Sequence, residues 1–234
     1  MNEQQDFSYI KRNLESIRAR ADAAAAASLY GQPYELLLAT KYATADEINY
    51  AHALGVNKIG ENRVQSLLEK YDALHRDGLD IHFIGSLQKN KVKYIIDKVS
   101  MIESLDSLPL AEEIERQAAK QDKVMDCLIE VNIGREAQKG GIMPEDAADF
   151  AEKVALFPHI RLCGIMTMAP KCTDISDYRK YFRESYHIFI DICEKKLHNV
   201  DRHVLSMGMS QSFEAALAEG ATLIRVGRAV FEKE

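Results

Sequence analysis

The sequence carries no excess of positive charge. Its 30 Lys and Arg stand against 36 Asp and Glu, a formal net charge of −6, so there is no overall field to draw in nucleic acid or an anionic membrane surface. A local basic pocket remains compatible with that total. Nowhere do about 18 apolar residues run together, as a membrane-spanning helix requires. The N-terminal stretch is charged and lacks the apolar core of a secretory signal, so a cytoplasmic protein is expected. Cys127, Cys163, Cys172 and Cys193 form no C-x-x-C pair, and the scattered histidines form no H-E-x-x-H. Neither a metal site nor a disulfide framework is therefore expected, and the thiols read as reduced.

What is present is the balance of a globular chain: 234 residues, 47% hydrophobic and 28% charged. From Glu35 onward, short apolar runs alternate with longer amphipathic stretches, a switch of hydrophobic period that marks β/α units. The strand candidates are 35–40, 57–60, 82–85, 100–103, 124–133, 161–168, 203–206 and 222–226, and helix-like segments lie between them at 44–54, 61–75, 87–98, 107–120, 144–156, 174–197 and 210–219. Gly55 and Gly220 sit where helices should end, and Pro144 where one should begin.

With an alanine-rich amphipathic helix at about 4–28, the helices also number eight. Only R-A-V-F-E-K-E follows the last strand, so this leading helix is free to cover the flank that a missing final helix would leave bare. The expectation is a single α/β domain over 1–234, a closed (β/α)₈ TIM-type barrel. An open doubly wound sheet is the competitor, because alternation alone does not separate the two.

In such a barrel the loops after the strand C-termini carry function, and phosphates commonly bind after strands seven and eight. After strand seven stand Gly208, Ser210 and Ser212 before a helix; after strand eight stand Gly227 and Arg228. Glycine lets backbone amides approach an anion, and a helix N-terminus favours negative charge. The same serines and glycines also read as plain caps and turns.

Strand one runs into Lys41, which closure of a barrel would set beside those loops. A lysine partly removed from water has its charged form disfavoured and its amine freed to attack a carbonyl. A phosphate cradle next to such an amine suits pyridoxal 5'-phosphate (PLP). Arg225 interrupts an otherwise apolar strand, so its guanidinium must find an acceptor. It reads either as one member of an interior ion pair or as a partner for the cofactor's pyridine nitrogen, which a permanently charged arginine would leave largely unprotonated.

Seven segments occur in order: K-Y-A-T at 41–44, G-E-N-R-V-Q at 60–65, H-F-I-G-S-L-Q-K-N-K at 82–91, K-G-G-I at 139–142, G-I-M-T-M at 164–168, S-M-G-M-S at 206–210 and R-V-G-R-A-V-F at 225–231. Together they resemble the pyridoxal phosphate homeostasis protein family, of the YggS/PROSC type, over about residues 35 to 231. The resemblance implies a barrel like the N-terminal domain of alanine racemase, with Lys41 carrying PLP as a Schiff base. It also implies that Ser210, Gly227 and Arg228 hold the phosphate, that Arg225 faces the pyridine nitrogen and that Asn62 lies close to the cofactor.

Two departures from the family pattern stand out: Ser212 where aspartate is frequent, which touches local capping, and Arg228 where threonine is frequent, which adds a charge near the phosphate. Asn62 reads equally as a helix N-cap. The Lys89, Lys91 and Lys93 cluster reads as a solvated face, and His82, at a strand start, as structural.

The resemblance implies a cofactor carrier or regulator of intracellular PLP levels with no catalytic residue, and PLP-dependent apo-enzymes are then the candidate partners. A monomer is expected because a compact barrel needs no second copy to complete this site. The alternatives are an amino-acid racemase-like enzyme, for which the additional domain of the resembling racemases is not expected here, and a lysine aldolase or sugar-phosphate enzyme.

Overall fold

The computed structural model describes residues 6–195, 197 and 200–233. Eight parallel strands close into a barrel in sequence order: β1 Glu35–Ala39, β2 Lys58–Glu61, β3 Asp80–Phe83, β4 Met101–Leu105, β5 Met125–Val131, β6 Ile160–Thr167, β7 Val200–Ser206 and β8 Leu223–Val226. The ring is sealed where β1 pairs with β8, from Glu35 opposite Leu223 to Leu38 opposite Val226. Closure of this kind leaves no strand edge exposed and excludes the open doubly wound sheet. The helices are α1 Ser8–Ala26, α2 Ala45–Ala53, α3 Val64–Tyr71, α4 Leu108–Ala119, α5 Ala147–Val154, α6 Ile175–Glu194, α7 Phe213–Ala218 and α8 Arg228–Phe231.

Alternation along each strand divides the apolar residues between two compartments. Leu37, Ile84, Met101, Leu128, Cys163, Met166, Val204 and Leu223 form one small buried cluster. Leu38, Ile59 and Ile224 join the larger cluster that the helices cover. At Gly60 a Cβ would lie 2.5 Å from a Leu37 methyl and 2.9 Å from Ile84, so the smaller cluster fills the barrel's inside and leaves that strand no room for a side chain there. Arg225 shares the inward face with Leu223, two residues before it on β8.

Helix ends follow local chemistry. At α2, Thr44 and Glu47 make a reciprocal capping box, and Gly55 follows the helix at φ +83°, a left-handed conformation that glycine adopts without strain. Gly220 does the same after α7, at φ +95°. Pro144 opens a one-turn 3-10 segment that leads into α5.

Some boundaries differ from those expected. β3 starts at Asp80, whose carboxylate meets Lys58 at 2.9 Å, so a charged residue disguised the strand's beginning and His82 lies inside the strand. β7 likewise begins three residues early, at Val200, because Asp201 and Arg202 break up its apolar run. The expected helix at 87–98 is only a 3-10 segment, Lys89–Tyr94. Lys89 and Lys93 would repel one another on adjacent turns of an α-helix; here the lysines point to solvent, Lys93 over the Tyr94 ring. The expected helix 61–75 begins only at Val64, and the expected helix 210–219 only at Phe213. Residues 4, 5 and 196 of the expected helices 4–28 and 174–197, and the ends of the expected domain 1–234, lie outside the described residues.

The leading helix does cover the β8–β1 flank, in company with a short final helix that the sequence reading left out. Its buried stripe, Ile10, Leu14, Ile17 and Ala21, recurs at helical spacing and packs on α7 and α8. Asn13 donates its amide to the carbonyls of Val230 and Glu232, each at 3.1 Å, and Arg20 donates to Glu214 at 2.8 Å. Ile17→Ala should therefore lower the unfolding free energy by about 2–5 kcal/mol in urea titration. Exposed Ser16→Ala, one residue away, should stay within about 0.5 kcal/mol of the parent.

Candidate functional site

A cavity of about 440 Å³ opens at the C-terminal end of the barrel, within the range of about 300–1,000 Å³ common for small-molecule sites. Lys41, Asn62, Ser210, Arg225, Gly227 and Arg228 all line it. They come from the loops after β1, β2 and β7 and from β8 and its own loop, so the closing β1–β8 ladder is what sets Lys41 beside residues 225–228.

Lys41 lies in the turn between β1 and α2. Lys70, on α3, clasps that turn by donating to the carbonyls of Thr40 at 2.9 Å and Ala43 at 3.2 Å, and it pairs with buried Glu61. The Thr40 hydroxyl also donates to Glu61, at 2.7 Å. The Lys41 side chain is exposed at the cavity rim, with its amine 4.8 Å from the Tyr42 ring centre. The expected removal of this lysine from water is thus not found in the protein alone, because the turn projects it past the end of the apolar strand.

Asn62 is half-buried and does not cap a helix: the N-cap of α3 is Arg63, and no side chain caps it. A Cβ at Gly85 would come within 2.1 Å of the Asn62 carbonyl oxygen, so that glycine lets the β3 loop press Asn62 into place. Gly208 (φ +90°) turns the chain after β7, and Ser212 accepts a hydrogen bond from the Met209 amide at 3.2 Å without capping α7. The Ser210 hydroxyl accepts from the Ala229 amide at 3.5 Å, which ties the two loops together. Gly227 also has a packing reason to be glycine, since a Cβ would lie 2.6 Å from the Ala39 carbonyl oxygen.

Beneath the cavity lies a buried polar chain that runs across the barrel. Arg225 is 4% exposed and donates to the Ser206 hydroxyl at 2.6 Å and to the Thr167 carbonyl at 2.9 Å. The Ser206 hydroxyl donates to Glu103 at 2.6 Å, and the other Glu103 oxygen meets His82 Nδ1 at 2.7 Å. Both readings of Arg225 therefore have a footing: its charge is answered by interior carboxylates, and it also reaches the cavity.

Burial disfavours the Arg225 cation and lowers its pKa, while Glu103 and Glu130 hold the charge in place. Burial alone would raise the Glu103 carboxyl, but His82, Arg225 and Ser206 together keep it below its ordinary value. His82, read from the sequence as structural, is buried with Glu103 as its hydrogen-bond partner.

Several lining residues escaped the sequence reading: Tyr42, Ile84, Met168, Lys171, Tyr178 and Gln211. For Met168 and Lys171 the available signal was position, directly after strand six at the functional end of a barrel. For Glu103 it was a carboxylate set in an apolar strand. Among the described residues, no group of three or more His, Cys, Asp or Glu could hold a metal ion, and no helix is long and apolar enough to cross a membrane.

Residues 5–233 match the family model for the alanine racemase N-terminal domain. A pyridoxal phosphate homeostasis protein from Aquifex aeolicus is 43% identical over 197 residues, covering 84% of this chain and 86% of the relative. Among solved structures, an unknown protein from Bifidobacterium adolescentis superposes with TM-score 0.89 at 33% identity, over 98% of both chains. PipY of Synechococcus elongatus, solved with PLP bound, superposes with TM-score 0.82 at 27% identity, over 95% of this chain and all of that one.

Glu130, on β5 and 7% exposed, is pushed up to about 7 by burial first and then by the charge of Asp106, against the pull of Arg225. Its folded pKa lies above its unfolded value near 4.5, so its neutral form supports the fold at low pH. That support is lost as pH rises through about 7, a difference of at most about 3 kcal/mol. Between pH 5 and pH 8, Glu130→Gln should therefore lose less stability than the parent in urea titrations; equal losses would mean that Glu130 ionises freely in the folded protein.

Proposed function

The chain belongs to the pyridoxal phosphate homeostasis family, built on the alanine racemase N-terminal domain, and from that premise we propose that it binds PLP and holds it for intracellular supply. The observation that carries this reading is that one amine, Lys41, and two anion-suited turns share a single cavity.

The donors fit the group. Lys41, Arg225 and Arg228 line the cavity and, among the described residues, no carboxylate does, which suits an anionic phosphate. Ser210, the backbone at Gly227 and Arg228 would hold that phosphate. Arg225, kept charged by Glu103 and Glu130, would face the pyridine nitrogen as a fixed donor, and Asn62 would flank the ring. When bound, PLP supplies an aldehyde that an amine captures reversibly. Lys41 is the amine placed to do so, held by the Lys70 clasp on its turn.

A buried, permanently charged arginine at the ring nitrogen leaves the ring a poor electron sink, which favours carriage over turnover. In this reading the protein is a monomer that acts in the cytoplasm and hands its cofactor to PLP-dependent apo-enzymes. The 43%-identical relative from Aquifex aeolicus carries the name of a homeostasis protein, which supports a non-enzymatic role.

Purified protein mixed with PLP should turn yellow, and borohydride should bleach the colour and fix the cofactor to Lys41 in a peptide map. Lys41→Ala should show neither the colour nor the adduct. Arg228→Ala should weaken PLP binding about tenfold by removing a charged partner of the phosphate, read by fluorescence titration. Robust racemisation across a panel of D- and L-amino acids, lost in Lys41→Ala, would overturn the carrier reading; protein that stays colourless with PLP would favour an aldolase-type amine.

A further inference from the structure

The cavity gathers more cationic side chains than the proposed cofactor contacts use. Four cationic side chains line it and, among the described residues, no carboxylate does, in a chain of net charge −6. Arg225 has its compensation inside the barrel, at Ser206, Glu103 and Glu130. Arg228 stands at the loop proposed for the phosphate, and Lys41 is the amine proposed for the aldehyde. Lys171 is left over.

Its position gives it a different neighbour. Lys171 also lines a second cavity of about 590 Å³, bounded by the loop after β6 and the first turns of α6. The other charges of that space are already matched: Lys180 with Asp177 at 2.7 Å, and Glu184 with Arg135 at 2.7 Å. Lys171 makes no ion pair among the described residues, and it is common to both cavities. Thr173 and Tyr181 add hydroxyl groups on the outer side, and Tyr178 one on the inner.

An unmatched ammonium between a cofactor cavity and an open outer space is a point charge with three donors, suited to a single carboxylate. A phosphate is met elsewhere, by two loops and a guanidinium. We infer that Lys171 is the anion-binding group of a second subsite, which takes the carboxylate of a small organic acid beside the cofactor. This rests on the PLP-binding reading, and would let the protein sense small acids while loaded.

The test uses the full chain loaded with PLP, with propionate, lactate and succinate as probes, propionamide as the uncharged control and inorganic phosphate as the rival anion. Binding is read by calorimetry and by ligand-observed NMR. The carboxylates should bind saturably and propionamide should not. Lys171→Ala should weaken carboxylate binding about tenfold or more, the size expected for a lost charged hydrogen bond, and Lys171→Arg should restore most of it. PLP uptake, followed by absorbance, should change no more than about twofold in either variant.

Absence of saturable carboxylate binding in the loaded parent, or unchanged affinity in Lys171→Ala, would overturn the subsite. So would a Lys171→Ala variant that loses affinity for PLP and inorganic phosphate instead, which would assign Lys171 to the phosphate. Failure of the cofactor reading shows separately, as a parent protein that takes up no PLP at all.

Discussion

The ladder between β1 and β8 is the constraint on which the rest of the molecule depends. Its four residue pairs, from Glu35 with Leu223 to Leu38 with Val226, join the first strand to the last and make a barrel of what would otherwise be a twisted open sheet. Two consequences follow from the same hydrogen bonds. No strand edge is left to pair with another chain. And a lysine near the start of the chain comes to share a mouth with turns almost two hundred residues later, at a separation that local sequence does not specify. Helix α1 supports this seam from outside, with its apolar stripe against α7 and α8 and its Asn13 amide on the last carbonyls of α8.

Inside the seam the barrel meets a problem of a different kind. Apolar layers fill its interior, yet a guanidinium stands on the inward face of β8. A buried cation without acceptors would cost several kcal/mol. The solution is a relay in which Ser206 accepts from Arg225 and donates to Glu103, while Glu103 is also held by His82. The strands that supply these groups, β3, β4, β7 and β8, lie on different sides of the ring, so the relay cross-braces the barrel beneath its cavity. One face of Arg225 is thus structural, and the other is offered to whatever occupies the space above.

Much of the glycine content at the site has the same double character. Gly227 is required by the nearness of the Ala39 carbonyl, and Gly85 by that of the Asn62 backbone. In each case the close approach of two chain segments brings peptide groups and side chains of neighbouring loops to the cavity wall. Packing and ligand access are consequences of the same missing Cβ, so the plain reading of these glycines as packing residues and their reading as parts of a site do not compete.

The sequence by itself determined the number and order of the strands and most of the helices between them, because a switch between strand and helix period is local and each run carries its own signal. It also determined which loops to inspect, since strand order in a β/α chain assigns each loop to one end of the barrel; Lys41, Ser210, Gly227 and Arg228 were singled out there, Arg225 as a charge in an apolar strand and Asn62 through the family resemblance, and all six line the one cavity. Tertiary structure alone decided the rest. Charged residues at Asp80 and Asp201 hid the beginnings of two strands, because their ladder bonds are made with neighbours far away in sequence. The partners of Arg225 and His82, the exposure of Lys41 and the place of Lys171 between two cavities each depend on side chains from non-adjacent segments meeting in space, and no periodicity along one segment records such a meeting.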